Sequence, residues 1–124
     1  MKIILLQGGS SSEREISLKS SKAIAEAIKS LNHELIIIDP ADYHMIEDFI
    51  KKIKNEAPDL IFLGLHGGDG EDGTLQAVLK TAGLIFTGSD HTSSAIAMNK
   101  YLSTMIAQAF DIPIPMTKLL TRPD

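Results

Sequence analysis

The residues of this 124-residue chain best equipped for chemistry lie in two glycine-bearing turns. The longer turn falls between Leu63 and Gln76 and sets His66, Asp69, Glu71 and Asp72 among Gly67, Gly68, Gly70 and Gly73. Glycines without a Cβ can take positive φ and let the backbone approach a ligand closely. The shorter turn, Gly8 to Ser12, runs into Glu13, Arg14, Glu15 and Ile16. An imidazole and several carboxylates at such turns suit the binding of a small polar molecule. A calcium loop numbered from Asp69 fails, because Thr74 stands where the sixth-position glycine belongs and Lys80 where the bidentate Glu belongs. A zinc set fails too, since His66 has no second His or Cys nearby. No metal site is therefore expected within this chain.

Each candidate has a plainer reading. Glu13 falls in the first helical turn, where the helix dipole stabilises any carboxylate. It could equally face a crevice and receive a cationic group such as an ammonium. Ser12 and Glu15 fit the Ser-x-x-Glu capping box, which would occupy Glu15 with a helix amide. His66 could be a hydrogen-bonded structural residue or a ligand-binding one. Glu71 and Asp72 could be solvated or could hold the loop through backbone amides. Lys100, read alone, is a solvated helix lysine. The shorter turn resembles a nucleotide-binding turn, with free amides and a dipole that favour an anion. It lacks the Gly-x-Gly-x-x-Gly fingerprint and carries a charged residue at the third glycine position, which argues against a dinucleotide.

Strands and helices that alternate must position these turns. Ile3 to Leu6 reads as a first strand, followed by a helix from about Glu13 to Leu31 with an apolar stripe of Ile16, Ala23, Ile24, Ala27, Ile28 and Leu31. Leu35 to Ile38 is a second strand, ended by Asp39 and Pro40. Met45, Ile46, Phe49, Ile50 and Ile53 mark a second amphipathic helix, closed by Ala57 and Pro58. Leu60 to Leu65 has the continuous apolar character of a strand buried on both faces. A short helix follows with Leu75, Val78, Leu79 and Ala82 inward, and Gly83 stops it. Leu84 to Thr87 is expected as a fourth strand, Ser94 to Met98 as a short helix, and Lys100 to about Phe110 as a helix capped by Asn99. The pattern predicts an α/β fold: a three-layer open parallel sheet with helices on both faces, Rossmann-like. Ligands bind at the carboxyl ends of strands in such sheets, which is where both turns fall.

Composition narrows the field. With 44% hydrophobic residues the chain can bury a core, and a formal charge of −4 without a Lys or Arg cluster gives no footprint for nucleic acid or an anionic membrane. The first apolar run ends at Gln7, too short for a signal-peptide core, and no later run could span a bilayer. The absence of cysteine excludes disulfides and fits a cytoplasmic protein. Residues 1–110 read as one domain. Residues 111–124, with Pro113, Pro115 and Pro123 among scattered apolar residues, read as the truncated start of a following domain.

Three motifs in order carry a more specific signal. They are Gly8-Gly9-x-Ser11-x-Glu13-Arg14-Glu15-Ile16-Ser17-Leu18, then Leu65-His66-Gly67-x-x-Gly70-Glu71-Asp72-Gly73-Thr74-x-Gln76, then Thr87-Gly88-Ser89 with Ser94-Ala95-x-Ala97-Met98-x-Lys100. Together they resemble the N-terminal, pre-ATP-grasp part of the D-alanine:D-alanine ligase family. Asn99 stands where the family usually has Asp. The resemblance implies an ATP- and Mg2+-dependent ligase of peptidoglycan synthesis that joins two D-alanines through an acyl phosphate. It implies a homodimer, with the ATP-grasp domains and the magnesium carboxylates beyond Asp124. It implies that Glu13 binds the ammonium of the first D-alanine, that Ser10, Ile16 and His66 lie beside the same substrate, and that Lys100 contacts ATP phosphates. A chain of this length alone is then expected to be inactive. A ligase joining D-alanine to D-lactate or D-serine, and a non-catalytic ligand-binding module, are the alternatives.

Overall fold

A computed structural model describes residues 1–120 of the chain. Among them, β1 (Lys2–Leu6), β2 (Glu34–Ile38) and β3 (Leu60–Leu63) form a parallel sheet in the order β2-β1-β3. In register, Ile3 lies beside Leu35 and Leu60, and Leu6 beside Ile38 and Leu63. The helices are α1 (Arg14–Ser30), α2 (Ile46–Glu56), α3 (Thr74–Thr81), α4 (His91–Met98) and α5 (Lys100–Ala109). No helix among the described residues is long and apolar enough to cross a membrane.

Central β1 explains the layering. Ile4, Leu5 and Leu6 are wholly buried, and a strand sends alternate side chains to opposite faces. Ile4 and Leu6 join Ile38, Phe49, Ile53, Ile61, Leu75 and Leu79 in one cluster, so α2 and α3 cover that face. Leu5 points the other way, toward Ser21 on α1. Helices therefore cover both faces, as the alternation predicts.

The helix α1 departs from its expected stripe. Its buried residues are Ser17, Ser21, Ala25 and Ile28, whereas Ile16 and Leu31 are 54% and 67% exposed. Of the six stripe residues only Ile28 is buried. Small side chains let the helix approach the sheet, and Ser17 meets its polar needs there. Its hydroxyl accepts from Gly8 N at 2.9 Å and donates to Gly64 O at 2.6 Å. A bulkier residue would fill space that those turns occupy.

The expected fourth strand is reduced to one bridge between Ile61 and Phe86. Ile61 N donates to Ile85 O and Thr87 N to Ile61 O, but Leu63 N then finds the Thr87 side-chain oxygen at 3.0 Å instead of a backbone carbonyl. Gly88, at φ 93°, turns the chain away immediately afterwards. Helix α4 begins three residues before the expected Ser94, at His91, with Asp90 Oδ1 accepting from Ser93 N. Asn99 caps α5 as expected, accepting from Leu102 N. Residues from Ile112 to Leu120 carry no regular element. The expected 111–124 segment extends past them into residues 121–124, outside the described residues.

Candidate functional site

The sheet order creates the site. From β1 the chain crosses to β2 on one side, and β3 lies on the other, so the connections leaving β1 and β3 part to opposite faces. A crevice opens at such a switch point, at the carboxyl ends of the strands. The two glycine turns form its walls. Between them and the start of α2 lies a cleft of about 620 Å³, bordered by Ser10, Ser11, Tyr43, His66 and Gly68.

Ser11 joins the walls. Its hydroxyl donates to the carbonyl oxygen of His66 and accepts from the amide of Glu13 at 3.1 Å. Gly67 is the meeting point: a Cβ there would lie 3.4 Å from the Glu13 carboxylate and 3.3 Å from the Ser11 hydroxyl. Glu13, 53 positions before His66 in the sequence, is thus laid over the residue that follows it. Its carboxylate is exposed, makes no side-chain bond to its own helix, and is open to a cationic partner.

The expected capping box does not form. Glu13 itself is the N-cap of α1, at φ −97° and ψ 14°, and no side chain caps the helix start. The reason is that Ser11 has already turned the chain, with Arg14 N donating to Ser11 O, so the helix begins one residue later than a Ser12 cap requires. Glu15 lies exposed in the first turn.

Asp39 at the end of β2 fixes the shorter turn from below. Its Oδ1 accepts from Gly9 N and Ala41 N, both at 2.9 Å, and its Oδ2 pairs with Arg14 Nη1 at 2.7 Å. Arg14 Nη1 also donates to Gly9 O at 2.9 Å. Burial alone would raise the Asp39 carboxyl, but the Gly9 and Ala41 amides and the Arg14 guanidinium outweigh it and hold it below its ordinary value. A Cβ on Gly8 would meet Asp39 Oδ2 at 2.2 Å, so only glycine fits there.

His66 is held on three sides. Its carbonyl takes the Ser11 proton, its Nε2 lies 3.2 Å from Ser20 Oγ on α1, and its Nδ1 lies 3.6 Å from Glu71 Oε1. Farther along the loop, Asp72 Oδ1 accepts from Thr74 N, and buried Gln76 donates to Gly70 O at 2.8 Å. Of the two roles open to Glu71 and Asp72 in the sequence, solvation or a hold on backbone amides, Asp72 takes the second.

Of the residues singled out in the sequence, Ser10 and His66 line the cleft, and Glu13 does not line it but lays its carboxylate over Gly67, which does. Ile16 is one turn into α1 and half exposed. Lys100 is exposed at the first position of α5 and does not line the cleft. Among the described residues no three His, Cys, Asp or Glu side chains converge as a metal site. Reading residue types missed Ser11, Ser20, Asp39 and Arg14. Ser11 and Arg14 stand inside the first motif, but Asp39 and Ser20 carry no local signal.

Residues 40–89 match the family model described as D-ala D-ala ligase N-terminus. A D-alanine--D-alanine ligase from Moorella thermoacetica is 45% identical over 115 residues, covering 93% of this chain and 36% of that protein. The structure of a D-alanine--D-alanine ligase from Bacillus anthracis complexed with ATP superposes with a TM-score of 0.81 at 31% identity, covering 99% of this chain and 42% of that one. A D-Ala:D-Ser ligase from Enterococcus faecalis superposes with a TM-score of 0.72 at 28% identity, covering 93% and 43%. The chain spans roughly a third to a half of the length of these relatives.

Proposed function

Because this chain belongs, by sequence and fold, with the N-terminal part of the D-alanine--D-alanine ligases, we propose that its crevice is the first-substrate site of such an enzyme. The observation that carries the reading is the Glu13 carboxylate laid over Gly67, next to His66. Glu13 takes the ammonium of the first D-alanine, and His66, Ser10 and Ile16 border the same molecule. Fixing the ammonium orients the carboxylate at the other end, and that is what phosphoryl transfer requires. ATP, when bound, would supply the γ-phosphoryl group that converts this carboxylate to an acyl phosphate with release of ADP, and the amine of a second D-alanine would then attack the acyl carbon and release phosphate. Lys100 contributes a point positive charge toward the phosphates.

The remaining parts of the reading are proposals of the same kind. Residues 1–110 form the substrate domain, and residues 111–124 begin the next one. The complete enzyme works in the cytoplasm, with Mg2+ held by carboxylates outside this chain, and as a homodimer. The chain on its own does not turn over. ATP- and D-alanine-dependent phosphate release from the 124-residue chain would refute that statement.

The test of the site uses the full-length protein. Glu13→Gln keeps the shape and removes the charge, and is expected to raise KM for the first D-alanine and lower kcat. Unchanged kinetics would return Glu13 to a helix-start role. Product analysis with D-alanine and D-serine together identifies the second substrate.

A further inference from the structure

The ring of His66 has a partner at each nitrogen, and neither belongs to the substrate. Glu71 Oε1 is 3.6 Å from Nδ1, too long for a hydrogen bond but close enough for the carboxylate to act on the ring dipole. An ionised carboxylate is an acceptor only, so it disfavours a lone pair facing it and favours the proton on Nδ1. Nε2 of the neutral ring is then the acceptor. Ser20 Oγ stands 3.2 Å from it and donates its single proton either there or to Ile16 O or Ser17 O within its own helix. The ring is thus clasped between α1 and the residue five positions farther along its loop.

We propose that Glu71 and Ser20 are positioning residues for the first-substrate site, acting through His66. This rests on the assignment of the Glu13 and His66 crevice to the first D-alanine. His66 lines the cleft, and its neighbour Gly67 lies under the Glu13 carboxylate. A ring free to rotate would present a different wall beside the bound ammonium in each rotamer. A clasped ring presents one. Glu71 and Ser20 lie on different elements, and the Glu71 side chain is 39% exposed, so neither is needed to fill the core. Their part is to select a ring orientation, which affects how often the substrate is held correctly.

A double-mutant cycle in the full-length protein tests this. Glu71→Gln removes the charge and keeps the volume, and is expected to raise KM for the first D-alanine roughly three- to tenfold with kcat within about twofold. Ser20→Ala shifts KM in the same direction and less, because its helix carbonyls remain bonded to their amides. In a His66→Ala background both effects vanish, since the group they act through is gone. Equal effects in both backgrounds would overturn the proposal, as would unchanged KM in Glu71→Gln when His66→Ala alone raises it. Unchanged kinetics in His66→Ala would instead overturn the substrate-site reading on which the proposal rests.

Discussion

The hydroxyl of Ser11 donates to the main-chain carbonyl of His66, 55 residues away, and accepts from the Glu13 amide. One small side chain thereby sets the distance between the two walls of the crevice. Ser11→Ala leaves the Glu13 amide and the His66 carbonyl without this partner. It is expected to lower stability by about 1–2 kcal/mol, read from the urea midpoint, since partly buried groups lose a net bond of this size. In the full-length enzyme it should also raise KM for the first D-alanine.

Asp39 gives the fold a pH dependence whose sign is fixed. Its carboxyl is held below the ordinary value of 3.8 in the folded chain, so the ionised form is the one that stabilises. That contribution is present in full above the unfolded value and is lost as pH falls through the folded one. Asp39→Asn should cost about 1–2 kcal/mol at neutral pH, the guanidinium being partly exposed and screened. The gap between wild type and variant should shrink in urea titrations taken progressively below about pH 4. A gap that stays constant into that range would show that the carboxylate charge is irrelevant.

Gly73 and Gly83 separate two penalties. Both have positive φ, 95° and 75°, but a Cβ on Gly73 would sit 2.3 Å from His91 O, while a Cβ on Gly83 meets nothing within 4 Å. Gly83→Ala is expected to cost about 1 kcal/mol from backbone strain alone. Gly73→Ala must also displace α4 and should cost about 2–3 kcal/mol or more. Thermal melts of the two variants, run side by side, give the comparison.

On α1 the usual ranking of side chains is inverted. Leu31→Ala removes a residue that is 67% exposed and should change stability by less than about 0.5 kcal/mol. Ser17→Ala removes a far smaller group but strands Gly8 N and Gly64 O, and should cost about 1–3 kcal/mol. Denaturant midpoints in the reverse order would mean that the helix packs by the face its isoleucines suggest.

That inversion shows what the sequence made legible. Phe49 and Ile53 recur at helical spacing with Pro58 just beyond, and α2 forms within a residue of its expected limits, because large apolar residues reveal which face is inward. The face of α1 was hidden because the buried positions hold serines, whose burial depends on carbonyls and amides supplied by distant turns. The fourth strand failed for a similar reason. Leu84 to Thr87 has strand composition, but whether a ladder continues depends on where Gly88 sends the chain. At the site, Glu13 and His66 stood out by residue type and by motif. Their closeness, and the serine that creates it, follow only from the parallel register of β1 and β3.

The crowding around Gly8 and Gly73 has a consequence on an evolutionary scale. Each is pressed against an oxygen atom, of Asp39 and of His91 respectively. Every single-base change that alters the meaning of a glycine codon installs a Cβ or ends the chain. No neighbouring genotype that changes the residue preserves the space at these points, so a lineage carrying this domain can drift at Leu31 while Gly8 and Gly73 stay locked, for as long as the crevice is under selection.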